Sequence, residues 1–232
     1  MYAKKFFKCL VLIFIIYQII MILKGIYTFF YKYVIAEEVN FIERYGDNTW
    51  ACITGCSSGQ GKQFALKLAE RGLNIFLIGR KGIFDVEKEI KEKYKVNTKC
   101  IVKDFSQSFQ NNFFNDIKAF LNKIDISILV NNVGHRTAWK PYHEMPEQLI
   151  KNTISVGTLV QARMIQLVLP HFLKHKSTRK SAIINITAQC MHLNIGFGTS
   201  NEISVPFLSA YEAANAFGFY HSNSVYKEFK DD

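Results

Sequence analysis

Residues 49–65 read TWACITGCSSGQGKQFA. An apolar run of strand length ends at Gly55 and passes through Gly59 and Gly61 into a segment with apolar residues three or four apart. Glycines at these positions let the chain turn tightly from strand to helix. Backbone N–H groups and the positive helix end then face a pyrophosphate. Glycine-rich turns are common, and it is the position directly after a first strand that makes this one a dinucleotide signal. Ser57 and Gln60 lie in the same turn and join the three glycines as candidate cofactor-binding residues. The next apolar run, LNIFLIG at 73–79, ends in Arg80 and Lys81. A site for NAD places an acid there for the ribose hydroxyls, whereas Arg80 can pair with an extra 2′-phosphate, so the expected cofactor is NADP. Two basic residues that only solvate a strand end are the plainer alternative.

Outward from this turn, short apolar runs alternate with helical patterns. The runs are TWACITG (49–55), LNIFLIG, TKCIVKD (98–104), ISILVNN (126–132) and SAIINIT (181–187). Helical spacing occupies GKQFALKLAERG (61–72), FDVEKEIKEKYK (84–95), SFQNNFFNDIKAFLNK (108–123) and the long segment 147–176. Such a βαβα rhythm predicts an α/β fold, a Rossmann-like doubly wound parallel sheet covered on both faces. Gly72, after Glu70–Arg71, is placed to end the first of these helices.

The N-terminal residues MYAKKFFKCLVLIFIIYQIIMILKGIYTFFYKYV carry a different message. Between Lys8 and Lys24 only Gln18 interrupts the apolar run, which as a helix covers about 22 Å against a hydrocarbon layer of roughly 30 Å. Extension from Phe6 to Val34, with snorkelling lysines and Tyr27, Tyr31 and Tyr33 at an interface, makes a single transmembrane helix feasible. No small-residue cleavage site follows it, which favours a retained anchor over a signal peptide. The expected organisation is an anchor at 1–36, a linker at 37–47 and a Rossmann domain at 48–232. The first 36 residues hold no acid, a feature that also suits a mitochondrial address.

A net charge of +10 accompanies no nucleic-acid-binding motif, so no nucleic-acid partner is expected. The five cysteines are scattered, without the paired spacing of a zinc site or a disulfide framework. His171 and His175 could share a helix face as metal ligands, but no third ligand suggests itself and no metal is expected. Cys56, near a helix N-terminus, is a candidate redox thiol, with a small filler as the plainer reading. The charge run KHKSTRK at 174–180 reads as a solvated loop.

TGCSSGQG, KDFS (103–106) and ILVNNVG (128–134) resemble the short-chain dehydrogenase/reductase family over roughly 48–229. With QLVLPHF (166–172) and the membrane segment, the likeness narrows to very-long-chain 3-ketoacyl-CoA reductases and 17β-hydroxysteroid dehydrogenases. The resemblance implies that Asp104 meets the adenine and that Asn131, Asn132 and Gly134 support the cofactor. It further implies a catalytic set of tyrosine, a lysine four residues later, serine and asparagine. Tyr211 fills the first role, but Asn215 stands at the lysine position, Ala188 at the serine position and Gly157 at the asparagine position. A free phenol has a pKa of about 10, so proton exchange near neutrality benefits from a nearby cation that a carboxamide does not supply. Thr187 is adjacent on a strand and is expected to face the other way, and Asn152 is about 7.5 Å away along its helix. An apparent insertion at GFGTSNEIS (196–204) lengthens the link to Tyr211, and the family's later strands and substrate cover are expected to be missing.

The resulting expectation is a catalytically inactive, membrane-anchored accessory subunit of a larger membrane complex. NADP would be retained as an internal brace, and lipid and other protein subunits would be its partners. A mitochondrial inner membrane is the favoured setting, and a respiratory-chain complex a possible one. The alternative is an NADPH-dependent 3-ketoacyl-CoA or steroid ketone reductase of the endoplasmic reticulum membrane.

Overall fold

The computed structural model describes residues 2–35, 39–135, 138–188 and 205–230. The chain divides into two compact units, 1–40 and 41–232. In the first, helix α1 (Tyr2–Phe30) runs into a π-helical turn at Tyr31–Ile35. The stretch Lys4–Ile35 is long and apolar enough to cross a membrane, with a mean hydropathy of 2.6 over its most apolar 18 residues. Continuous helix past Lys24 supplies the length that the 8–24 run lacked.

The second unit begins inside the expected linker. Helix α2 (Phe41–Tyr45) packs Phe41 and Tyr45 against the core. Five strands follow, β1 (Trp50–Thr54), β2 (Asn74–Gly79), β3 (Thr98–Val102), β4 (Ile126–Asn131) and β5 (Ala182–Asn185). All neighbours are parallel, in the order β3-β2-β1-β4-β5. The connecting helices are α3 (Gly59–Glu70), α4 (Ile83–Lys93), α5 (Asn115–Leu121), α6 (Glu147–Ile154) and α7 (Val160–Lys174), and α8 (Ser209–Phe229) follows β5.

Alternation along the strands divides the core. Ala51, Ile53, Ile75 and Leu77 meet α3 and α4, while Cys52, Phe76 and Ile78 meet α5 and α7. Each fully buried large aliphatic side chain contributes about 1.5–3 kcal/mol, so both sheet faces are strongly specified. Strand β4 breaks the period. Its register against β1 shifts between Trp50 and Ala51, which puts Ile126 and Leu129 on one face and Ile128 and Val130 on the other. The extra residue, Ser127, is buried and donates its hydroxyl to Thr49 Oγ1 at 2.9 Å.

Two local features differ from the sequence expectation. The long segment 147–176 is helical through most of its length but contains a π-helical turn at Ser155–Leu159 between α6 and α7. Within the charge run, Arg179 is not solvated. Its guanidinium is buried against the Asp125 carboxylate and donates to Ile126 O at 3.1 Å. The insertion at 196–204 and Cys190 lie outside the described residues.

Gly72 closes α3 as expected, at φ +87°. Its N–H reaches Ala69 O at 3.0 Å and the next N–H, of Leu73, reaches Leu68 O at 3.2 Å, the paired bonds of a Schellman cap. Gly72→Ala is expected to lower stability by about 1–2 kcal/mol, because an L side chain is strained in this left-handed conformation. Urea denaturation of the two proteins checks this.

Candidate active site

The strand order reverses direction between β1 and β4, and the crevice beyond the strands' carboxyl ends at such a point is where an α/β sheet binds ligands. The glycine turn occupies this place. Gly55 has φ +67°, and a Cβ on it would come within 2.7 Å of Val133 Cα in the segment after β4. A Cβ on Gly61 would lie 2.4 Å from Asn132 Nδ2. Gly59, at φ +56°, faces open space. Ser58, the N-cap of α3, makes no side-chain capping bond, so the first-turn N–H groups depend on an outside acceptor. Open space above a helix start with an uncapped first turn fits the phosphates of a dinucleotide.

The turn is fastened to β4 by Thr54 and Asn132. Thr54 Oγ1 accepts from the N–H groups of Asn132 and Val133, at 3.1 and 3.2 Å. Asn132 Nδ2 donates to Gly55 O at 3.0 Å. Asn132 is thus a brace of the cradle. Asn131 Nδ2 donates to Asn185 Oδ1 at 2.9 Å, and Asn185 Nδ2 to Ser222 Oγ at 2.7 Å, which joins β4, β5 and α8. Among the described residues, Asn131 Oδ1 is a buried acceptor without a protein donor.

Two cavities flank the turn. One, open and of about 660 Å³, is lined by Ser57, Arg80, Lys81, Lys103 and Asp104. Here Asp104 Oδ1 accepts from the Ser106 N–H at 3.0 Å and its hydroxyl at 2.9 Å, while Lys103 pairs with Asp116 at 3.0 Å. The other, of about 360 Å³, brings together Gln60, Asn131, Asn132, Gly134, Ala188, Tyr211 and Asn215. Every candidate cofactor-binding residue, and Tyr211, therefore lies in the turn or beside one of these cavities.

The central cleft also holds groups that the sequence had not flagged, His135, Thr153 and Gln161. His135 follows directly on the NNVG stretch, a position that was the available signal. Its Nδ1 lies 3.4 Å from Thr153 Oγ1, and burial pulls the imidazole below its usual range against the opposing pull of Asp104. Thr187 borders the cleft with Ile186 and Ala188, and its Cγ2 lies against α8, 3.0 Å from where a Cβ on Gly218 would sit. Asn152 behaves as expected for a poor substitute, its Oδ1 accepting from Gln148 Nε2 at 2.8 Å on the exposed side of α6.

The substituted positions are integrated into the packing. Asn215 Oδ1 accepts from the Ala188 N–H at 2.7 Å, and its Nδ2 donates to Tyr211 O at 2.8 Å. Gly157 has no room for a side chain, since a Cβ there would lie 2.7 Å from the Ala214 Cβ. Among the described residues lining the cleft, none is a lysine or arginine.

Two other candidates resolve plainly. Cys56 is fully buried, its Sγ 3.7 Å from Ile78 O, and burial pushes the thiol up to about 12, so it is a filler and no thiolate site. No metal-binding group of three His, Cys, Asp or Glu exists among the described residues, and His175 instead faces Asp125, at 3.6 Å.

Residues 49–216 match the family described as short chain dehydrogenase, and the chain belongs to this family. It is similar to very-long-chain 3-oxoacyl-CoA reductase of Bos taurus, 36% identical over 186 residues, which cover 78% of this chain and 54% of the relative. Hydroxysteroid dehydrogenase-like protein 1 of Gallus gallus is 35% identical over 196 residues, covering 83% of this chain and 54% of that one. The chain thus spans about half the length of the curated relatives it matches. Among solved structures, a metagenomic short-chain oxidoreductase in complex with NADP aligns with a TM-score of 0.66 at 23% identity, over 80% of this chain and 78% of that one. A Sphingobium yanoikuyae short-chain dehydrogenase in complex with NADPH gives 0.65 at 22%, over 79% and 66%.

Between the ordinary thiol range and pH 12, the unfolded chain has released the Cys56 proton while the native chain retains it, so stability falls as pH rises. The denaturation midpoint is expected to drop between pH 8 and pH 10, and Cys56→Ala is expected to remove part of that drop. Equal drops in both proteins would contradict the assignment.

Proposed function

We propose that this chain is a membrane-anchored, NADP(H)-binding member of the short-chain dehydrogenase family in which ketone reduction is lost or slowed by orders of magnitude. The uncapped start of α3 would receive the pyrophosphate, Arg80 the 2′-phosphate, Asp104 the adenine side, and the Asn131–Gly134 segment the remainder. Bound NADPH would supply a hydride. The observation that carries the reading is Asn215. Both polar ends of its side chain are engaged with Ala188 N and Tyr211 O, where proton transfer at Tyr211 calls for a cation. Ala188 has no hydroxyl to hold a carbonyl oxygen, and His135, the other titratable group lining the cleft, is biased toward its neutral form. Each tenfold loss of rate corresponds to about 1.4 kcal/mol of barrier, and here several contributions vanish together. The remaining use of the fold is accessory, a nucleotide-braced unit held at a membrane beside protein partners by its apolar helix.

A second reading keeps the reaction named by its relatives, reduction of a very-long-chain 3-oxoacyl-CoA or, by the steroid-enzyme likeness, of a steroid ketone. The 36% identity to the bovine reductase favours it, as does Tyr211 at the cleft. At the level of the family, the comparisons lean toward this reading. The residues of this particular cleft lean away from it. Nothing in the comparisons supports a mitochondrial setting or a respiratory complex, and neither is carried further.

The full chain in detergent is expected to bind NADPH while oxidising it with a 3-oxoacyl-CoA at a rate indistinguishable from the same protein carrying Tyr211→Phe. Turnover abolished by Tyr211→Phe would establish the second reading instead.

A further inference from the structure

The two cavities beside the glycine turn are unequal in charge, and this bears on how the proposed nucleotide site would work. The outer one has Arg80, Lys81 and Lys103 around Ser57 and Asp104. Lys103 is partly spent on Asp116, but neither Arg80 nor Lys81 has an ion-pair partner among the described residues. The central one has no lysine or arginine among its described lining residues. Its carboxamide at 215 is tied to Ala188 and Tyr211, and Gly157 is closed off by Ala214.

Among the described residues, a ligand crossing the turn would therefore find lysine and arginine contacts on one side only. Arginine to phosphate is the strongest pairing such a site offers, because guanidinium and phosphate match two bonds at a time. A neutral side chain already engaged with its own backbone adds little to a ribose diol, since binding would only exchange one hydrogen bond for another.

We propose that this is a half-site, in which adenosine nucleotides carrying a 2′-phosphate are held through the outer cavity and the nicotinamide riboside half contributes almost no affinity. The proposal rests on the nucleotide-binding reading above and deepens it. Its ligand class is wider than the dinucleotide, because adenosine 2′-phosphate 5′-diphosphate, which is NADP without its nicotinamide riboside, satisfies the same contacts.

Isothermal titration of the full chain in detergent micelles, with NADP⁺ and adenosine 2′-phosphate 5′-diphosphate in parallel, tests it. The two dissociation constants are expected to agree within about threefold, less than 1 kcal/mol by the affinity relation. Arg80→Ala is expected to weaken both ligands by the same factor, about tenfold or more for a lost charge-assisted contact. Asn215→Lys is expected to tighten NADP⁺ and leave the adenosine 2′-phosphate 5′-diphosphate unchanged. NADP⁺ binding more than about tenfold tighter than that ligand would overturn the half-site and leave nucleotide binding standing. Binding of neither ligand would remove the nucleotide reading itself. Because the comparison on the unsubstituted chain decides the matter, a variant that fails to fold does not blunt the test.

Discussion

The structure depends on how closely the end of β1 approaches the end of β4. Gly55 and Gly61 have no room for side chains because Val133 and Asn132 lie against them. Thr54, with its hydroxyl accepting two N–H groups from the β4 side, fastens the approach. Once these chain segments are joined, α3 must start where it does and the cleft must open at the reversal of strand order. The α8 side is held to the same centre through Asn131, Asn185 and Ser222, so Tyr211 is positioned by the sheet as well as by its own helix.

The face of α8 toward the cleft packs closely against its neighbours. Ala214 closes against Gly157, and Gly218 lies where a Cβ would meet Gln161 Oε1 at 2.9 Å and Thr187 Cγ2 at 3.0 Å. Small residues one turn apart bring the helix close to the π-helical turn and α7, and this proximity leaves no volume for the side chain expected at 157. The glycine at 157 and the shape of α8 are thus a single packing solution. Asn215 works the same way, since its carboxamide satisfies the Ala188 N–H, in the segment after β5, that a lysine would not accept from.

Much of this was legible in the residues. The alternation of apolar runs and helical spacing gave five parallel strands, because the central strands β1, β2 and β4 are buried on both faces and therefore largely apolar. Gly72 announced the helix end because only a left-handed position needs glycine there. The cradle was readable for the same reason. What escaped was three-dimensional. The bulge at Ser127 is invisible in an apolar run without a partner strand to compare. Arg179 sits in a stretch of lysines and histidines that looks solvated, and its burial follows from Asp125, far away in sequence. His135 and Thr153 come from separate segments, and only folding sets them 3.4 Å apart.

The central claim is that the chain keeps the phosphate and adenosine grip of its family and has lost the grip on the reacting end. Saturation-transfer NMR of NADP⁺ with the full chain in detergent reads both ends of one ligand at once. The account predicts strong saturation of the adenine H2 and H8 protons and weak saturation of the nicotinamide protons. Nicotinamide protons saturated as strongly as those of adenine would contradict it, and would place the reacting ring firmly against Tyr211.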